Sequence, residues 1–198
     1  MKDLKGLKLG VALCGSFCTF SKTLLLIDKL IQAGIDVFPI MSFCAYSTST
    51  RFGESAHINS KIEALTKKKI IHTIIDAEPL GPKGTLDALL IAPCTGNTLA
   101  KMACGITDTP VLLAAKSLMR NGKPVIIALA TNDGLGENSK NISHMLNKKN
   151  IYFVPLGQDD YNKKPFSLVA DFNQVPATLE MALNNKQIQP VLVSYPLV

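Results

Sequence analysis

The chain has no tryptophan, only three histidines and just two arginines, Arg51 and Arg120, so its formal charge of +6 rests on lysine. Nucleic-acid surfaces are commonly built from arginine runs interleaved with aromatic platforms, and that pattern is missing. The lysine groups at 67–69, 148–149 and 163–164 read as solvated surface, with a general attraction for acidic small molecules as their long-range effect. No apolar run approaches the roughly 18 residues of a membrane-spanning helix. The opening MKDLKGLKLG passes straight into a strand pattern instead of a signal-peptide core. The expectation is a cytoplasmic protein that engages neither membrane nor nucleic acid. Five cysteines form an odd set without a CxxC pair, and no nearby histidine completes a zinc pattern, so free thiols are expected and no metal. No GxGxxG is present, and GSFCTFSKT lacks the second glycine of a P-loop, which leaves Ser21, Lys22 and Thr23 as a helix's first turn.

Linkers, repeats and Pro/Ser-rich tracts are also absent. The 198 residues, 47% of them hydrophobic, therefore read as one domain over 1–198, with the last dozen residues as a tail.

What the sequence does contain is concentrated at 87–116, DALLIAPCTGNTLAKMACGITDTPVLLAAK. The run at 87–92 is too short to span a membrane and too uniformly apolar for a half-exposed strand, so it reads as a buried parallel strand ended by Pro93. Thr95, Gly96, Asn97 and Thr98 follow at the start of a helix, where unpaired N–H groups and the helix dipole favour an anion. Thr and Asn are equally at home as plain helix caps, and the local chemistry leaves both readings open. Cys94 beside this turn could gain thiolate character. Packing as a small core residue is the preferred reading.

Along the chain, strands are expected at 8–14, 36–41, 70–75, 87–92, 124–130 and 151–154. Helices are expected after GSFCTFSKT up to Gly34, then over 56–67, 97–104, 109–120, 137–148 and 175–185. Such alternation implies a mostly parallel sheet covered by helices on both faces, with ligands at the carboxyl ends of strands. The turns at Gly15 and Ser16 and at 95–98 would then share one sheet edge and one ligand. A mononucleotide with a single phosphate suits small hydroxyl residues better than a magnesium triphosphate, and flavin mononucleotide (FMN) is the candidate.

PCTGNTLAKMACGITDTP resembles the segment PxSANTxxKxAxGxxDN of the flavoprotein family that contains peptide-cysteine and phosphopantothenoylcysteine decarboxylases and flavin prenyltransferases. The likeness begins at LCGSFC and covers most of the chain. It implies a Rossmann-like (flavodoxin-like) three-layer sandwich that forms homo-oligomers. It further implies an FMN site in which Gly15 and Ser16 form the first phosphate turn, Ser42 follows the second strand as a ligand-facing residue, and Thr95, Gly96, Asn97 and Thr98 form the second turn. STSTRFGE, AEPLGPKG, TDTPVLLAAK and VPLGQDDYNKKP resemble one branch of the family. In that branch the chain is expected to act with a separate dehydrogenase-like A subunit, which carries NAD(P), on a small dicarboxylate during sporulation.

Asn132 falls where the decarboxylases have the Asn of PxMN. The departures from the pattern are equally specific: Pro79 occupies the decarboxylases' catalytic His position, and PxMNxxMW is reduced to LATNDGLG, which argues against cysteine decarboxylation. His57, His72 and His144 have no motif support as replacements. A dicarboxylate needs cationic partners, and Arg51, in a Ser/Thr-rich loop beyond a strand end, suits one carboxylate, with a structural pair to Glu54 as the equal alternative. Asn132 and Arg51 are thus the candidate catalytic residues. Two other function classes stay open: an independent flavin enzyme, and a noncatalytic scaffold for the dehydrogenase-like partner. The helix at 109–120 is a candidate oligomer face.

Overall fold

The computed structural model describes residues 4–193. Its centre is a seven-stranded sheet. Strands β1 (Lys8–Leu13), β2 (Asp36–Met41), β3 (Ala88–Cys94), β4 (Val125–Thr131) and β5 (Ile151–Phe153) run parallel in the order β2-β1-β3-β4-β5. Two short strands, β6 (Leu156–Gly157) and β7 (Leu168–Ala170), join antiparallel, with β7 beside the last residues of β4. All seven residues of β3 are buried, as expected of a strand covered on both faces.

Helices α1 (Phe20–Gln32), α3 (Ser55–Thr66) and α8 (Val175–Leu183) pack against one face of the sheet. Helices α4 (Ile74–Ala77), α5 (Gly96–Ala103), α6 (Pro110–Arg120) and α7 (Ser139–Leu146) form the other layer, while the single-turn α2 (Phe43–Ser47) leans on α3. The apolar stripe of α1 (Phe20, Leu26, Ile27 and Leu30) is buried, and the chain leaves that helix through Gly34 at φ +82°, a left-handed value that favours glycine. Ser21, Lys22 and Thr23 lie in its first turn, as expected. Among the described residues no helix is long and apolar enough to cross a membrane.

Three expectations need correction. The central strand does not end at Pro93 but continues to Cys94, across a register shift between Ile91 and Cys94 that accommodates a residue without an N–H. The Pro93 carbonyl still accepts a bond, from Cys14 N at 3.1 Å.

The stretch 70–75 is not a strand. Ile71 makes one parallel bridge to Ile40, and Thr73 then caps α4, accepting from Asp76 N (3.0 Å) and donating to Asp76 Oδ2 (2.6 Å). The cap outcompetes the β-branched residues that suggested a strand. Nor do all of the last dozen residues form a tail. Val191 and Val193 exchange backbone bonds with Leu156 (2.9 and 2.8 Å), so this segment continues the sheet beyond β6, while 194–198 lie outside the described residues.

Candidate functional site

The carboxyl ends of four neighbouring parallel strands are linked in a row. Ser42 N, after β2, donates to Leu13 O at 3.0 Å, and Cys14 N, after β1, donates to Pro93 O in β3. Gly96, after β3, packs on Thr131 at the end of β4. The crossovers from β1 and β3 leave on opposite faces, so the crevice between these strands is the topological switch point where open α/β sheets bind ligands. The structure thus brings Gly15, Ser16, Ser42, residues 95–98 and Asn132 to one edge of the sheet.

The hydroxyls expected to face a ligand are partly engaged as caps. Ser42 Oγ accepts from Ala45 N at 3.3 Å, and Thr95 Oγ1 accepts from Thr98 N at 3.2 Å while donating to Thr98 Oγ1 at 3.0 Å. Capping and anion binding are compatible here. Thr95 consumes the third N–H of α5 and leaves the Gly96 and Asn97 N–H groups at the head of the helix dipole. Gly96 has no side chain to obstruct them. Ser16 is half-buried, with its N–H bonded to Cys14 O (2.8 Å) and its Oγ only in a 3.9 Å contact with Cys18 Sγ. This donor set, small and uncharged, fits a phosphate monoester approached by backbone.

Beneath the turn lie two buried thiols. Burial pushes Cys14 up to about 11, although Thr98 Oγ1 and the Thr95 N–H bond to it and pull the other way. Burial likewise pushes Cys94 well up. Both stay protonated at neutral pH, so the helix N-terminus does not activate Cys94, in keeping with the packing reading.

Asn132 is exposed immediately after β4. Arg51 is exposed on the loop after α2, and its guanidinium lies 4.9 Å over the Phe52 ring. Glu54 accepts instead from Ser49 Oγ at 3.0 Å, and among the described residues no Arg51–Glu54 ion pair forms.

Pro79 sits half-buried in a single 3-10 turn and carries no titratable group. His57 and His144 are exposed on α3 and α7, and His72 stacks on Tyr46 at 3.7 Å with Nδ1 on Ile70 O. Among the described residues no group of three or more His, Cys, Asp or Glu is placed to hold a metal.

Motif reading misses the loop that closes this edge. Residues 131–138 fold so that Asn138 Nδ2 donates to Asp133 Oδ2 (2.9 Å), and Thr131 and Asn138 press on Gly96. No spacing signal marks Asp133 and Asn138, because their pairing depends on where β4 ends relative to α5. Clefts also lie elsewhere, and two of them border the helices that follow β1 and β2. One, about 530 Å³, is lined by Lys22, Leu25, Lys29, Asp171 and Phe172. The other, about 780 Å³, is lined by Tyr46, Asn59, Glu63 and His72. Neither contains the turns. The sheet edge is favoured as the site because backbone donors converge there, whereas the clefts are open hollows between surface side chains.

A family model described as Flavoprotein matches residues 1–172. The chain is 48% identical over 193 residues to the B subunit of dipicolinate synthase from Bacillus subtilis (strain 168), covering 98% of this chain and 96% of the relative. The crystal structure of the dipicolinate synthase B subunit from Bacillus halodurans C superposes with a TM-score of 0.89 at 44% identity, covering 97% of this chain and 98% of that one. The FMN-dependent cysteine decarboxylase SpaF shares the fold, with a TM-score of 0.68 at 20% identity over 91% of this chain and 97% of that one.

Proposed function

The chain belongs to the Flavoprotein family, and from that premise we propose that it works as the B subunit of a dipicolinate synthase. In this role the whole chain acts as one cytoplasmic flavoprotein-like domain within a homo-oligomer. Together with the separate A subunit of the synthase it converts a hydroxylated tetrahydrodipicolinate to dipicolinate, pyridine-2,6-dicarboxylate, during sporulation. The observation that carries this reading is the likeness to the Bacillus subtilis protein over nearly the full length of both chains.

The reaction removes water from a hydroxylated ring and then a hydride and a proton, leaving an aromatic pyridine. The A subunit, through NAD(P), accepts the hydride, and this chain binds and shapes the dicarboxylate. The donors at Gly15, Ser16, Gly96 and Asn97, with Ser42 and Thr98 behind them, would hold the phosphate of FMN. When bound, FMN would supply a flat ring against which a planar product can stack, and a two-electron acceptor. Asn132, at the mouth of this edge, orients the substrate through its amide. Arg51 swings from its perch on Phe52 to meet one carboxylate with its planar fork. The buried thiols keep their protons at neutral pH, and the proton taken in dehydration passes to water or to the A subunit. With Pro79 in place of the decarboxylases' histidine, independent cysteine decarboxylation is not supported.

The test is reconstitution of dipicolinate synthesis from this chain and its dehydrogenase-like partner, separately and together, followed by the product's ultraviolet absorbance. Product is expected only from the pair, and Arg51→Ala should raise the KM for the dicarboxylate about tenfold in that assay. Full turnover by either protein without the other would overturn the reading.

A further inference from the structure

Gly96 stands where the PxSANT pattern carries alanine. A Cβ built on Gly96 would lie 2.5 Å from Asn138 Nδ2 and 2.6 Å from Thr131 Oγ1. The volume of that methyl is therefore taken by two polar side chains from the end of β4 and the loop beyond it.

Asn138 is the N-cap residue of α7, yet its side chain makes no capping bond there. The usual reason for an asparagine at this position is missing. The side chain is turned inward, only 8% exposed, with Nδ2 on Asp133 Oδ2 (2.9 Å) and Oδ1 accepting from Asn141 Nδ2 (3.0 Å). Its backbone N–H donates to Asp133 Oδ1 at 3.3 Å. From the far side, Ser167 Oγ donates to Thr131 O (3.2 Å) and Leu135 N to Phe166 O (2.9 Å), so the loop is fastened at both flanks. Asn132 and the first turn of α5 are thus tied to one rigid frame.

We propose that Asn138, held by Asp133, is a positioning residue for the flavin site, pressing loop 131–138 onto Gly96 so that the Gly96 and Asn97 N–H groups and the Asn132 amide face one ligand. This rests on the flavin-binding reading above. A turn fixed in advance binds a phosphate without the entropic cost of ordering it, which is the advantage of packing a buried amide where a methyl would otherwise fit.

The test titrates FMN into the full chain and into Asp133→Asn, Asn138→Asp and the double exchange Asp133→Asn/Asn138→Asp. Quenching of flavin fluorescence gives affinity, and thermal unfolding of each cofactor-free protein is measured alongside. Each single change sets two donors or two carboxylates against each other. The exchange restores every bond: residue 133 keeps an oxygen for the backbone N–H of 138 and donates to the new carboxylate, which still accepts from Asn141.

At a temperature well below unfolding, each single variant should weaken FMN binding about tenfold or more, and the exchange should return it to within about threefold of wild type. Asp133→Asn alone, which preserves size, carries the test if Asn138→Asp does not fold. Wild-type affinity in the folded single variants would overturn the assignment. So would an exchange that recovers thermal stability without recovering affinity. Failure of the wild-type protein itself to bind FMN would overturn the flavin reading, and this assignment with it.

Discussion

At the residue scale, Cys14 and Cys94 show how burial overrides a favourable local position. Both lie at or under a helix N-terminus, where a thiolate is favoured, yet desolvation dominates and holds the proton on. The linkage has a definite sign. Well below about pH 8.5 folded and unfolded chains both carry neutral thiols, and the stabilisation from keeping them neutral is intact. As pH rises from there towards about 11, the unfolded chain loses thiol protons that folded Cys14 retains, so stability falls. The urea midpoint should decline through this window, more shallowly in Cys14→Ala, and a flat midpoint in the wild-type protein would contradict the placement of the thiols. The preference for packing at Cys94 was readable from its apolar neighbours. The role of Asn138 was not, because nothing in its local sequence distinguishes a cap from a side chain turned against another helix. Nor did the sequence separate the two readings of Arg51. The structure removes the Glu54 pair by giving that carboxylate to Ser49.

At the element scale, the long parallel strands were legible because strands covered on both faces must be nearly continuous in apolar residues. Strand β2 has the boundaries expected of it. What escaped were elements whose existence is decided by pairing: β6 and β7, two and three residues long, and the single-turn α2. Conversely, Ile70, Ile71, Ile74 and Ile75 looked like a strand until the Thr73 cap turned the chain into α4.

The edge strand β5 is finished by a side chain. Gln187 accepts from Phe153 N (2.8 Å) through Oε1 and donates to Phe153 O (2.7 Å) through Nε2, standing in for a neighbouring strand. Gln187→Ala should leave both backbone groups unpaired and cost about 1–3 kcal/mol of unfolding free energy, read by urea denaturation. A loss within about 0.5 kcal/mol would show that water replaces the amide at no penalty.

At the scale of the whole molecule, the alternation of strands and helices was enough to foresee a mostly parallel sheet flanked by helices. The strand order β2-β1-β3-β4-β5 supplies what alternation alone cannot: it sets the turns after β1 and β3 side by side. The clefts lined by Lys22 and by Tyr46 were not foreseeable, since they are made by side chains far apart in sequence.

Those two turns are proposed to share one flavin. A crystal structure of the protein grown with FMN tests this most directly. It should show the phosphate between Ser16 and the Gly96–Asn97 N–H groups, with the ring reaching towards Asn132. Flavin seated instead in the Lys22–Lys29 cleft or the Tyr46–His72 cleft, with the sheet edge untouched, would contradict it.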